Sequence, residues 1–283
     1  LVRTREQSMK ILLCSLCLLM ASGSLMAGSK VIATGGATTV EGNSGGGIVP
    51  WATINGYSSS DEWSVNTFAG RVGVDDFTLD SVGIGASFNN QWELSFARQK
   101  FTLDTIGGEL RQDILGIKYK IAGELLYTQM PQISLGAQFK KNRDFALPAA
   151  VGAGDDSGYE LYLAASKVFF DAIAGRNLLL NATVRSTDAH QTGLLGFGGA
   201  GVSHKLMFES SAVLLLNYNL ALGTEFKQKP NQLGFADEQH WRDVFAAWFI
   251  NKNASVVLGY VDLGDIAGLT EQTGFYLSVE GTW

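Results

Sequence analysis

The chain ends with the sequence TGFYLSVEGTW at residues 273–283. Alternate positions in this stretch carry mainly apolar side chains, and a period of two indicates a β-strand with one apolar face. A terminal aromatic residue on such a strand resembles the signal that the assembly machinery of the bacterial outer membrane binds. We therefore predict that this strand carries an assembly signal, made up of Phe275, Leu277, Val279 and Trp283.

The same alternation recurs along the chain from residue 82 onward. Leu115 and Ile117, for example, alternate with Gly116 and Lys118. A soluble β-sandwich would show the same alternation, so it does not decide the fold by itself. Charged side chains keep to the face opposite the apolar one. In a barrel they would line the lumen, and the predicted pore-lining residues are Lys118, Lys120, Lys140, Glu160, Arg185, Glu225 and Lys227.

The lengths of the connections favour a membrane barrel. Short connections at residues 89–91, 171–175, 217–219 and 251–253 alternate with long ones at 102–110, 142–157, 187–205 and 229–240. Short turns on one rim and long loops on the other are typical of outer-membrane barrels. The sequence thus predicts an all-β protein, a transmembrane antiparallel β-barrel of about 12 strands that starts near Glu62, or about 14 if residues 31–57 add two.

The first residues read as a targeting segment. Met9 and Lys10 precede an apolar stretch at residues 11–20, and small residues at 24–27 suit cleavage before Gly28. We therefore expect residues 1–27 to be a signal peptide with an over-extended start. Both cysteines, Cys14 and Cys17, would leave with it, so no disulfide is expected.

The mature chain is predicted to form one domain. Residues 28–61 are a Gly-rich leader, either a plug or the first strands, and residues 62–283 form the barrel. Loss of residues 1–27 removes three cations and one acid, which lowers the formal net charge from −6 to about −8 and argues against nucleic acid as a partner. No later apolar run reaches the roughly 18 residues of a spanning helix.

A Gly-rich loop follows Arg185. Gly196, Gly198 and Gly201 match a dinucleotide-binding pattern, but the strand and helix that this pattern requires are not predicted here. We expect the loop to fold back into the lumen as a constriction, formed by Gly193, Gly196, Phe197, Gly198 and Gly199.

Few residues suggest catalysis. Ser186 or Ser203 with His190 or His204 is a possible pair of nucleophile and base near the outer rim, but no nucleophile motif surrounds either serine. The neighbouring acids Asp155 and Asp156 lack the spaced oxygen ligands of a calcium loop and are expected in a solvated turn. The prediction is therefore a protein without enzymatic activity, with no catalytic residue, cofactor or metal.

Three stretches resemble a family of uncharacterised proteobacterial envelope proteins of unknown function. They are GGGIVPWA at residues 45–52, RSTDAHQTGLLGFGG at 185–199 and KQKPN at 227–231. The resemblance covers nearly the whole mature chain. It implies an outer-membrane location and brings no substrate or catalytic residue.

Taken together, these patterns predict an outer-membrane protein that is a passive channel or uptake pore for a small solute. Its other expected partners are membrane lipid and the barrel-assembly machinery. Two alternatives stay open at this stage, a lipid-modifying enzyme and a structural or adhesive barrel. The solute and the oligomeric state do not follow from the sequence.

Overall fold

A computed structural model describes residues 28–234 and 236–283, so the predicted signal peptide lies outside the described residues. Twelve antiparallel strands form a closed barrel, which confirms the predicted fold class. Two short strands, β1 (Ala37–Thr38) and β2 (Ser44–Gly45), precede it. The barrel strands are β3 (Trp63–Val74), β4 (Phe77–Phe88), β5 (Trp92–Leu103), β6 (Glu109–Ala122), β7 (Gln132–Asn142), β8 (Ser157–Ile173), β9 (Arg176–Thr187), β10 (Lys205–Leu215), β11 (Leu220–Lys227), β12 (Trp241–Asn251), β13 (Ala254–Asp262) and β14 (Thr273–Thr282).

The barrel closes between its first and last strands. Leu277 of β14 lies opposite Arg71 of β3, and Trp283 exchanges two backbone hydrogen bonds of 2.8 Å with Val65. Each neighbouring pair along the chain is antiparallel and is joined directly, as in an up-and-down barrel. Closure matters because an open edge strand in lipid would leave its backbone polar groups without partners.

The outer surface carries a belt of apolar side chains. A surface of this kind is unusual for a protein in water but is what a lipid-facing barrel wall requires. The exposed members include Val82, Ile84, Leu94, Leu115, Ile117, Leu135, Leu161, Leu163, Leu180, Val184, Leu222, Val244 and Leu258. Phe275 and Leu277 of the predicted assembly signal also lie on this face, whereas Val279 is 8% exposed.

The two rims differ as expected. On the rim where the barrel begins and ends, which is the periplasmic one in such proteins, tight turns join most strands. Asn89 and Asn90, for example, have φ values of 55° and 50°, the left-handed pair of a two-residue hairpin turn. The opposite rim carries longer loops, in which a short helix, α1 (Ala146–Ala150), and the 3-10 turn Gln191–Gly193 lie. Within the described residues, no helix is long and apolar enough to cross a membrane.

The interior is filled. Residues 35–58 are buried inside the barrel and add no strand to its wall, so the count of 12 strands holds. We call residues 35–58 the plug. The alternation implied that inward-facing positions are uniformly polar, and the structure shows that they are not. The plug and the loops fill the lumen, so apolar side chains of the wall can pack against them. Such inward residues include Val72, Phe77, Leu79, Phe101, Leu179, Val213, Phe245 and Phe249.

Candidate functional site

The plug is structurally separate from the barrel wall. Its strands β1 and β2 pair with each other, and within the described residues they pair with no barrel strand. A cavity of about 10 Å³ between Ala37, Trp51 and the wall has room for about one water molecule. The plug is therefore packed tightly in place but is joined to the wall by side-chain contacts rather than by a β-ladder.

Glu225 of β11 holds the glycine run of the plug. Its Oε2 accepts backbone hydrogen bonds from Gly47 and Ile48 at 2.8 Å and from Val49 at 3.2 Å. Its Oε1 accepts one from the indole of Trp51 at 3.0 Å. A β-carbon on Gly46 would lie 2.2 Å from Glu225 Oε1, so glycine is what lets the backbone approach the carboxylate this closely.

Glu41 reaches into a cluster of charged wall residues. Its carboxylate lies 2.6 Å from Lys140 Nζ and 3.4 Å from both Arg185 Nη2 and Lys227 Nζ. Glu160 also pairs with Lys140, at 2.8 Å, and with Arg185, at 2.6 Å. We call Glu41, Lys140, Glu160, Arg185, Glu209 and Lys227 the charge cluster.

The charge cluster is balanced only while the plug is in place. Glu209 completes it by accepting from Arg185 Nε at 2.5 Å. Its members are at most 3% exposed. Three cations then face three carboxylates, and one of the carboxylates belongs to the plug. Buried charges need such partners, because removing one partner leaves an uncompensated charge at a cost of about 3–5 kcal/mol.

Lys118 makes a second attachment. Its Nζ donates to the main-chain oxygens of Ser44 and Thr53, both at 3.0 Å, and lies 3.3 Å from Glu93. Glu93 in turn accepts from the backbone of Asn55 at 2.8 Å. One buried ion pair of the wall thus anchors β2 and the segment of the plug that follows it.

The structure brings most of the predicted pore-lining residues to the plug. The exception is Lys120, which lies at the periplasmic rim and pairs with Glu124 at 3.2 Å. Sequence reasoning did not single out Glu41, Glu93 or Glu209. The two wall residues follow the inward parity of their strands and could have been found from it. Glu41 lies in irregular backbone, where no period applies.

The Gly-rich loop after β9 covers the extracellular mouth of the lumen. The carbonyl oxygen of Thr192 accepts from Lys140 Nζ at 3.1 Å, and that of Leu194 accepts from Asn142 at 2.6 Å. Phe197 is buried, and its backbone pairs with that of Asp155 in the neighbouring loop. This loop lies above the charge cluster, and its predicted role as a constriction stays a prediction.

The four glycines of the predicted constriction take backbone conformations that favour glycine. Gly193, Gly196, Gly198 and Gly199 have φ values between 57° and 127°. A β-carbon on Gly193 would lie 2.6 Å from the ring of Phe197. The loop can therefore fold compactly into the mouth.

Lys229 is buried in the same mouth. Its Nζ donates to the side chain of Gln191 at 3.0 Å and lies 5.5 Å from the ring centre of Trp241. Burial lowers the pKa of Lys229 to about 8, and nearby Glu238 offsets part of that effect. Burial likewise raises the pKa of Glu238, and the charge of Lys229 offsets part of that rise. Both groups are thus driven toward their neutral forms.

We expect a pH-dependent contribution of Lys229 to stability. The folded protein releases its proton near pH 8 and the unfolded chain near pH 10.5, so the free energy of unfolding rises between these values, by about 3 kcal/mol at most. Lys229→Met has no side chain that titrates in this range and therefore lacks this pH-dependent contribution. The free energy of unfolding of the variant minus that of wild type, measured with urea, should therefore fall from pH 8 to 10.5. A difference that stays constant over this range would contradict the assignment.

The candidate catalytic residues fall into two groups. His190 is buried, and its Nε2 lies 2.9 Å from the carbonyl oxygen of Gly198, as part of the loop's own packing. Ser186 and His204 lie on the outer surface instead, with Ser186 Oγ 3.4 Å from His204 Nδ1. Asp156, one of the two neighbouring acids considered in the sequence, pairs with Lys141 at 3.3 Å.

A family described as "Protein of unknown function (DUF3034)" matches residues 34–280. The chain belongs to this family. The match confirms the resemblance found in the sequence, and its span shows that the family includes the plug as well as the barrel. No curated protein matches the chain in sequence.

Solved structures share the fold. A structure titled "KdgM porin" aligns with a TM-score of 0.50 at 12% identity, covering 78% of this chain and 99% of that one. The Acinetobacter baumannii outer membrane protein Omp33 aligns with a TM-score of 0.47 at 11% identity, covering 78% and 99%. At such identities the likeness concerns fold alone. The closed barrel with its apolar outer belt supports the predicted location of this DUF3034 protein in the bacterial outer membrane.

Proposed function

We propose that this protein is an outer-membrane channel for a small polar solute and that the plug closes it in the conformation described. The observation that carries the proposal is the plug itself, a separate hairpin held by polar and charged wall side chains. Because the hairpin shares no ladder with the wall, it can leave the lumen without breaking barrel pairing. The wall left behind would be lined by charges, which suits a water-filled path.

The proposal includes two partners of the barrel. The apolar belt is suited to contact membrane lipid. The last strand, with Phe275 and Leu277 facing outward, is suited to engage the barrel-assembly machinery. The solutes of the porins that share the fold are not transferred to this chain.

Deletion of residues 35–58 tests the channel. We expect the variant to conduct steadily in planar bilayers, whereas wild type should open rarely. A folded variant is recognised by a shift in gel mobility between unboiled and boiled samples. A folded variant that does not conduct would overturn the channel and support a structural barrel. If the deletion prevents folding, the Glu41→Gln variant described below tests the same point with the plug present.

A further inference from the structure

A serine, a histidine and an aspartate meet on the outer surface of the barrel, near the extracellular rim. Ser186 is on β9, and His204 and Asp188 belong to the loop that joins β9 to β10. Ser186 Oγ lies 3.4 Å from His204 Nδ1, and His204 Nε2 lies 3.5 Å from Asp188 Oδ1. The imidazole therefore stands between a hydroxyl and a carboxylate.

The sheet register explains why the three side chains meet. Lys205 lies opposite Thr187 and Leu206 opposite Ser186. Continued by one residue, this register places His204 opposite Asp188 and diagonal to Ser186. Side chains at opposite and diagonal positions on one face of an antiparallel pair are within reach of each other. The arrangement is thus fixed by the pairing of β9 with β10 rather than by loop flexibility.

Two further contacts orient the imidazole. Asp188 Oδ1 is buried, has no hydrogen-bond partner among the described residues and faces His204 Nε2 at 3.5 Å. The His204 ring packs on Tyr159, with 4.8 Å between ring centres. A carboxylate at Nε2 favours the tautomer that carries its proton there. Nδ1 is then free to accept the proton of Ser186.

The surroundings of Ser186 suit an acyl chain in lipid. Leu161 and Leu206, its neighbours across the sheet, are 46% and 73% exposed on the lipid-facing side. A surface groove of about 640 Å³ lies on the same face toward the periplasm, lined in part by Ala182 and Ser210. Ala182 is four residues from Ser186 along β9, about 13 Å. An ester at Ser186 can therefore extend its chain into this groove.

An unpaired amide lies beside the histidine. Gln232 Oε1 accepts a hydrogen bond of 3.3 Å from the backbone of Ser203, the residue before His204. Its Nε2 is buried and has no hydrogen-bond partner among the described residues.

We propose that Ser186, His204 and Asp188 form a hydrolytic site for carboxylic esters of membrane lipids. Ser186 Oγ attacks the ester carbonyl carbon and its proton passes to His204 Nδ1. The bond between that carbon and the alcohol oxygen breaks, and the alcohol takes the proton. Water then attacks the acyl-serine with His204 again as base, which releases the fatty acid and restores Ser186. This activity uses the outer wall and is independent of the channel.

A fluorophosphonate probe, which reacts with activated serines, tests the site on the purified, folded protein in detergent micelles. We expect wild type to be labelled on the peptide that contains Ser186. Ser186→Ala should lose the label, and Ser186→Ala and His204→Gln should each lower hydrolysis of a medium-chain acyl ester by about 100-fold or more. Ser203→Ala is the matched control, because it removes a neighbouring hydroxyl and should change neither readout.

Asp188→Asn separates a positioning role from a structural one. It should lower the hydrolysis rate at neutral pH and leave the heat-modifiable gel shift unchanged, because the asparagine no longer favours the same tautomer. The proposal is overturned if folded wild type is neither labelled nor hydrolytic, or if the label stays in Ser186→Ala. Conductance is measured on the same samples, so failure here leaves the channel proposal standing.

Discussion

Replacing Glu41 by glutamine is expected to open the channel. The substitution removes one of three carboxylates from the charge cluster and leaves Lys140, Arg185 and Lys227 facing only two. An uncompensated buried charge costs about 3–5 kcal/mol, which weakens the docked state of the plug. The fraction of time spent open should rise about 100-fold or more, measured as single-channel conductance in planar bilayers.

Restoring the charge balance should close the channel again. The double variant Glu41→Gln, Lys140→Met returns the charge cluster to two cations and two carboxylates, so its conductance should fall back toward that of wild type. Glu271→Gln, which removes an exposed acid on the extracellular side, is the control for net charge. Conductance in the double variant as high as in Glu41→Gln would show that charge balance does not hold the plug.

The wall of the barrel could be predicted from the sequence because its strands are lipid-facing on one side. Lipid contact forces an apolar residue at every second position, and the tight turns force Asn or Gly between strands. The stretch at residues 244–250 shows where this reasoning weakens. Val244 and Trp248 face lipid, but Phe245 and Phe249 pack inward against the filled lumen, so the period of two disappears there.

The attachment of the plug could not be predicted, because it depends on contacts between distant residues. Glu225 binds the backbone of Gly47 across 178 positions, and no local pattern relates the two. Ser186 and His204 were recognisable as candidates from their chemistry, whereas Asp188 was not singled out. Their meeting requires the register of β9 on β10, which a one-residue slip would destroy.

The glycine run gives a test of the plug that changes no charge. A β-carbon at position 46 would lie 2.2 Å from Glu225 Oε1, well inside contact distance. The carboxylate cannot move aside cheaply, because Gly47, Ile48, Trp51 and Ser211 all donate hydrogen bonds to it. Gly46→Ala should therefore displace the plug and produce steady conductance.

Gly73→Ala is the matched control, because a β-carbon at that position meets nothing within 4 Å. Displacement can also be read without conductance, since residues 28–283 contain no cysteine. Ala37→Cys places a thiol beside the small cavity at the plug, where the added sulfur has room. A soluble maleimide should label this cysteine quickly with Gly46→Ala and slowly with Gly73→Ala. Equal labelling rates would mean that close backbone approach to Glu225 does not hold the plug, and fast labelling without conductance would mean that the emptied barrel is not a channel.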